Sequence, residues 1–174
     1  MEIKKIAVMG AGAMGHGIAQ VAAMAGYEVT MRDINEEFVN GGMQKIRWSI
    51  GKLIEKGRIS PADADKTLKR IKPFVSLADA VKEADFVIEA IPEELKLKQQ
   101  TFKEVDANAP PHAILASNTS ALSITEIASA TNRPEKVVGM HFFNPAQLMR
   151  LVEVIRGAKT NDETTNVTIE LTKK

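Results

Sequence analysis

Lys5-Ile6-Ala7-Val8-Met9-Gly10-Ala11-Gly12-Ala13-Met14-Gly15 decides the fold of this chain. Ile6 and Val8, with Ile3, Ala7 and Met9 around them, form the short apolar run of a strand buried on both sheet faces. Glycines follow at G-x-G-x-x-G spacing, and Ile18, Ala19, Val21, Ala22, Ala23 and Met24 then recur at helical period. Gly26 stops that helix, and Tyr27 to Met31 reads as a second strand ending at Asp33. A bare glycine triplet says little, but one that leaves a strand, opens a helix and precedes a second strand has the context of a dinucleotide site.

Each residue type in the turn has a mechanical task. Gly10 permits the tight exit from the strand, Gly12 lets backbone approach a pyrophosphate, and Gly15 lets the helix pack close. The free N–H groups at the helix N-terminus, with Ala11, Ala13 and Met14 between the glycines, are expected to face the phosphates. Asp33 lies about twenty residues past the glycines, where a carboxylate accepts the hydroxyls of the adenine ribose and repels a 2′-phosphate. Alternation along the strand turns Arg32 away from that side. The expected cofactor is NAD rather than NADP.

Composition narrows the remaining chemistry. A chain of 174 residues, 44% hydrophobic and 26% charged, fits one soluble α/β domain spanning 1–174. A net charge of +1 without a basic stripe gives no reason to expect a nucleic-acid or membrane partner. No apolar run approaches a membrane span, and the first strand starts almost at Met1, so the cytoplasm is the expected compartment. Zero cysteines remove disulfides, thiolate nucleophiles and cysteine-ligated zinc. The one tyrosine, Tyr27, has Met31 four residues on rather than a lysine, so a Tyr-x-x-x-Lys dehydrogenase pair is absent too. His16 and His112 show no partner at metal-ligand spacing, and no metal site is expected.

Beyond Asp33, Phe38, Met43, Ile46, Ile50, Leu53 and Ile54 recur at helical spacing to about Lys56. Gly57 closes that helix, and Ser60-Pro61-Ala62-Asp63 starts another with an N-cap serine and Pro at the first helical position. Residues 35–71 therefore read as a helical hairpin inserted into the sheet framework, and insertions of this size usually carry function. Strands are expected at Pro73–Val75, Asp85–Ile91, Ala113–Ala116, Val137–Met140 and Leu151–Ile155. Helices are expected from Ser76, over Glu93 to about Val105, and over Ser123 to Ser129. Alternating strands and helices predict a doubly wound, mostly parallel sheet of Rossmann type, with ligands off the carboxyl ends of the strands.

Taken together, Gly10–Gly15, Glu89-Ala90-Ile91-Pro92-Glu93, Ser117-Asn118-Thr119-Ser120, His141-Phe142-Phe143-Asn144-Pro145 and Leu151-Val152-Glu153-Val154 resemble the NAD-dependent 3-hydroxyacyl-CoA dehydrogenases, nearly end to end. The resemblance implies hydride transfer between (S)-3-hydroxyacyl-CoA and NAD, giving 3-oxoacyl-CoA, in fatty-acid β-oxidation or butanoyl-CoA metabolism. It makes His141 the base for the substrate hydroxyl and Glu153 its partner, with Ser120 and Asn144 holding the substrate oxygen and the reacting atoms. It places Glu93 and Lys98 near the nicotinamide and Ser49 and Lys56 on coenzyme A. Histidine's ordinary pKa, about 6.5, suits proton acceptance near neutral pH. Without the resemblance, His141 reads rather as a buried, hydrogen-bonded core residue than as a base, and Ser120 and Asn144 read as turn caps.

The family continues with a helical C-terminal domain that is absent here, so the resemblance implies a truncated or split enzyme, weakly active alone and a homo-oligomer when complete. Asn161 to Lys174 is expected to begin a helix with nothing to bury Val167, Ile169 and Leu171. A non-catalytic NAD-binding module and a related β-hydroxyacid dehydrogenase are the competing readings.

Overall fold

The computed structural model describes residues 2–174. Lys5–Met9 forms β1, Gly15–Met24 α1 and Glu28–Arg32 β2. The helical stretch that follows is α2 (Glu36–Glu55) and α3 (Pro61–Lys69), and β3 (Ile71–Phe74) and α4 (Leu77–Val81) complete the first half. The second half runs β4 (Phe86–Glu89), α5 (Leu95–Asn108), β5 (Ile114–Ser117), α6 (Ile124–Ala128), β6 (Val137–Phe142), β7 (Val152–Arg156) and α7 (Asp162–Thr172).

Local chemistry explains most of the boundaries. Asn35 caps α2, its side chain accepting the Phe38 N–H at 2.9 Å. Ser60, Ser76, Ser123 and Asn161 cap α3, α4, α6 and α7 in the same way. Pro73 lies inside β3 rather than at its start; a strand at the sheet edge tolerates the missing donor. Tyr27 falls just outside β2, and Asp33 just beyond its carboxyl end.

Among the described residues the strands form one sheet in the order β3-β2-β1-β4-β5-β6-β7. All neighbours are parallel except β6 and β7. The chain winds outward from β1 through β2 to β3, then returns to β4 on the other side of β1. That reversal leaves a crevice at the carboxyl ends of β1 and β4. Apolar residues fill both sheet faces: Ile6 and Val8 point to the α1–α2 side, Ala7 and Met9 to the α4–α5–α6 side.

Two features depart from expectation. The link from β6 to β7 carries no helix, so the chain returns antiparallel and pairs His141 with Glu153 in register. The C-terminal helix does find a surface: Val167 and Leu171 pack on the core of the α1–α2 side, and Thr164 and Thr168 are buried. Their hydroxyls donate to Glu135 O at 3.0 Å and Thr164 O at 2.7 Å, so burial leaves neither unpaired.

Candidate active site

The glycine turn is built as its sequence demands. Gly10 has φ +104°, and a Cβ there would lie 2.5 Å from Ala90 O, across the crevice on the β4 side. A Cβ on Gly15 would stand 1.8 Å from Gly10 O, so α1 starts directly against the end of β1. A Cβ on Gly12 would meet nothing within 4 Å, which leaves its backbone facing open space. No side chain caps α1, and its first turn carries no acid. Uncompensated N–H groups beside an open glycine suit a phosphate.

Two hollows meet at Gly12. One is walled by Ala11, Asp33, Phe38, Gly41 and Gly42. Asp33 Oδ2 accepts the Ala11 N–H and Oδ1 the Ile34 N–H, both at 2.7 Å, which fixes the carboxylate and leaves lone pairs for hydroxyl donors. Arg32 donates from Nε to Val75 O at 2.9 Å, so its guanidinium is engaged elsewhere. Helix α2 comes close because residue 42 is glycine: a Cβ there would lie 2.8 Å from Ala11 O.

The other hollow is walled by Ala13, Met14, Glu93, Lys98, Asn118, Ser120, His141 and Asn144. His141 Nδ1 lies 2.8 Å from Glu153 Oε2, and its ring packs obliquely on Phe143, centroids 4.7 Å apart. An ionised carboxylate only accepts, so Nδ1 carries the proton and Nε2 of a neutral ring is the free acceptor. That is the tautomer a general base requires.

A buried ionic cluster supports this hollow from below. Glu89 and Lys98 are each 1% exposed, with Lys98 Nζ 2.6 Å from Glu89 Oε1. The ammonium also lies 3.1 Å from Ile91 O and 3.3 Å from Glu93 Oε2, so its three protons face three acceptors. Glu89 Oε2 accepts the Ser117 hydroxyl at 2.7 Å. Glu93 in turn accepts from the Thr119 hydroxyl and from the Ser120 N–H at 3.1 Å, tying down the turn that carries Ser120. Partial burial opposes the Glu93 charge, but the Thr119 hydroxyl and the Lys98 ammonium outweigh it and lower the pKa.

The structure thus gathers Gly12, Ala13, Met14, Glu93, Lys98, Ser120, His141 and Asn144 around one hollow, with Glu153 behind His141. Gly10 and Gly15 shape its edge. Ser49 and Lys56 line neither hollow: Ser49 is buried on α2 and Lys56 is exposed at its end. His112 does have a carboxylate neighbour, Asp85 Oδ1 at 2.9 Å, at the opposite end of the sheet. Glu89, Asn118 and Gly42 were given no role by sequence reasoning. The signal for the first two was their place at the carboxyl ends of β4 and β5, where apolar packing gives no reason for polar side chains.

Fold and site define a dinucleotide-binding α/β domain with an acid–base pair at one end of the cleft. Residues 5–174 match the family model described as "3-hydroxyacyl-CoA dehydrogenase, NAD binding domain", and the chain belongs to that family. It is 50% identical over 164 residues to a "Probable 3-hydroxybutyryl-CoA dehydrogenase" of Bacillus subtilis, covering 94% of this chain and 57% of that protein. The solved (S)-3-hydroxybutyryl-CoA dehydrogenase from Ralstonia eutropha superposes with TM-score 0.96 at 41% identity, over 99% of this chain and 60% of that one. The 3-hydroxybutyryl-CoA dehydrogenase from Escherichia coli K12 gives TM-score 0.96 at 38% identity, over 99% of this chain and 36% of that one. The chain therefore spans about a third to three-fifths of these relatives.

Proposed function

We propose that this chain acts in hydride transfer between (S)-3-hydroxyacyl-CoA and NAD, as the cofactor-binding and proton-transferring domain of a 3-hydroxyacyl-CoA dehydrogenase. The observation that carries the reading is the pair of hollows joined at Gly12, with Asp33 in one and the His141–Glu153 pair at the other. When bound, NAD supplies the acceptor for the hydride leaving C3 of the alcohol.

The chain's own residues supply the rest. Gly10 to Gly15 would hold the pyrophosphate and Asp33 the adenine ribose. His141 Nε2 accepts the proton of the 3-hydroxyl, and Glu153 steadies the imidazolium that results. Ser120 and Asn144 fix the substrate oxygen beside Nε2. Glu93 and Lys98 shape the nicotinamide end, Lys98 through the carboxylates it pairs. In the reverse direction the imidazolium returns the proton to the developing alkoxide. Ser49 and Lys56 are assigned to the coenzyme A moiety on the family resemblance alone.

The reading includes a helical partner domain, in the same polypeptide or another, and a homo-oligomer working in the cytoplasm. Leu148, Met149 and Leu151 support a partner, since they stand exposed in the link between β6 and β7. Calorimetric titration with NADH and then acetoacetyl-CoA tests the function. Binding of both is expected, with free acetoacetate inert. A chain that binds no NADH would refute the reading; one that binds NADH and takes free acetoacetate would favour the β-hydroxyacid alternative.

A further inference from the structure

Asn118 is pinned from two sides. Its backbone N–H donates to Glu89 O at 2.8 Å, extending the β4–β5 ladder one residue past β5. Its side-chain Oδ1 accepts the Phe142 N–H at 2.8 Å, next to His141 on β6. A peptide N–H can only donate, so the edge of the carboxamide facing Phe142 must be oxygen. The opposite edge is then Nδ2, with two protons and, among the described residues, no hydrogen bond to a protein acceptor. Asn118 is half-buried and lines the hollow that holds Glu93, Ser120 and His141.

The clamp on Phe142 asks only for an acceptor, which aspartate would supply equally well. What asparagine adds is a fixed donor on the edge turned away from Phe142, on a residue that lines the hollow. Glu93 and a neutral His141 Nε2 both present acceptors there, so the donor complements them and needs an acceptor oxygen from outside the protein. The sheet order sets which oxygen. The phosphate cradle sits at the end of β1, and β5 lies two strands away, roughly 10 Å at the usual spacing. Asp33 follows β2, on the other side of β1.

We infer that Asn118 binds the cofactor, its Nδ2 donating a hydrogen bond to an oxygen on the nicotinamide-ribose half of the dinucleotide. The inference rests on the NAD reading above and adds a residue to it.

Asn118→Asp is the discriminating variant, because it keeps the Phe142 acceptor and turns the free edge from donor to acceptor. Calorimetric titration is expected to show the NADH Kd rising at least tenfold, with the ADP Kd changed less than twofold. Equal NADH affinity in variant and parent, whether or not acetoacetyl-CoA binding falls, overturns the inference. A parallel loss for ADP also overturns it, because it would reflect long-range charge rather than a lost donor. Absence of NADH binding by the parent would sink the functional reading as well; binding by the parent without a variant effect sinks only this one. A second measurement does not depend on the variant folding. The Asn118 side-chain NH2 resonances of the unaltered chain should shift with NADH and not with ADP, and no shift with NADH contradicts the assignment.

Discussion

His141 and Glu153 are register partners on the antiparallel β6–β7 pair, and their side chains meet with Nδ1 2.8 Å from Oε2. Directly opposed residues share a sheet face. The two therefore meet without help from any loop, although they lie twelve positions apart in the chain. Rigid strands hold the ring so that only Nε2 is free to work.

This arrangement predicts a split between chemistry and binding. His141→Gln should lower turnover of the complete enzyme by roughly 10²–10⁴-fold, the usual worth of a general base. NADH affinity should stay within about twofold of the parent, since the glycine turn is untouched. Glu153→Gln should reduce kcat less and leave KM almost unchanged. Steady-state kinetics with acetoacetyl-CoA, beside NADH titration, read both quantities. Equal loss of turnover and cofactor affinity in His141→Gln would assign the residue to packing instead.

The glycines separate fold from ligand in the same way. Gly15→Ala places a methyl 1.8 Å from Gly10 O, backbone that cannot step aside, and should cost about 1–3 kcal/mol or more. Gly12→Ala meets no protein atom within 4 Å, so thermal stability should hold. The methyl would instead enter the space offered to the pyrophosphate, and NADH affinity should fall at least tenfold. Melting temperature and NADH Kd, measured on both variants, check the contrast. A destabilised Gly12→Ala with normal affinity would mean the open space is not the phosphate site.

Much of this was legible in the sequence because local rules agreed with the fold. The glycine turn, the serine caps and the short apolar strands each specify their own geometry within a few residues. The His141–Glu153 meeting was legible only through family resemblance, because strand direction decides it and alternation alone does not give direction. The Glu89–Lys98 pair was hidden for a related reason. Sequence reading keeps Glu89 inside an Asp85–Ile91 strand, where nothing marks it as paired, and its partner sits nine residues on, on a helix whose facing is set by packing. Asn118 sits in a Ser-Asn-Thr-Ser run that reads as ordinary loop chemistry, because its use depends on Phe142, 24 positions away. The docking of α7 was missed because two apolar residues, Val167 and Leu171, suffice when the buried hydroxyls beside them are paired, Thr164 with Glu135 O and Thr168 with Thr164 O.

The buried pair gives a stability prediction of its own. Removing one partner of a buried ion pair strands the other charge and typically costs about 3–5 kcal/mol. Lys98→Met should therefore destabilise strongly, because the Glu89 carboxylate keeps only the Ile91 N–H and Ser117 hydroxyl. Adding Glu89→Gln removes the stranded charge and should recover a large part of the loss. Urea unfolding of the two single variants and the double one gives the coupling, expected to exceed about 1 kcal/mol for groups in contact. Strictly additive losses would mean that the two side chains do not act as a pair.

At the far end of the sheet, Asp85 sets how the fold responds to acid. Its Oδ2 accepts the Lys4 and Lys5 N–H groups at 2.8 and 2.9 Å, and its Oδ1 faces His112 Nε2. Burial opposes the charge, but the Lys5 and Lys4 N–H groups, helped by His112, outweigh it and lower the pKa. A carboxylate whose folded pKa lies below its unfolded one binds fewer protons when folded, so stability rises with pH between the two values. The contribution is complete above the ordinary carboxylate range and lost as pH falls through the folded value. Glu93, also lowered, acts with the same sign. Asp85→Asn should therefore lower the urea midpoint at pH 7 and flatten its decline below about pH 5, where the carboxylates titrate. Because Asp85 stands at the amino end of β4, remote from the cleft, NADH affinity at pH 7 should not change. An Asp85→Asn chain whose midpoint falls as steeply with acid as the parent's would show that other carboxylates carry the acid response.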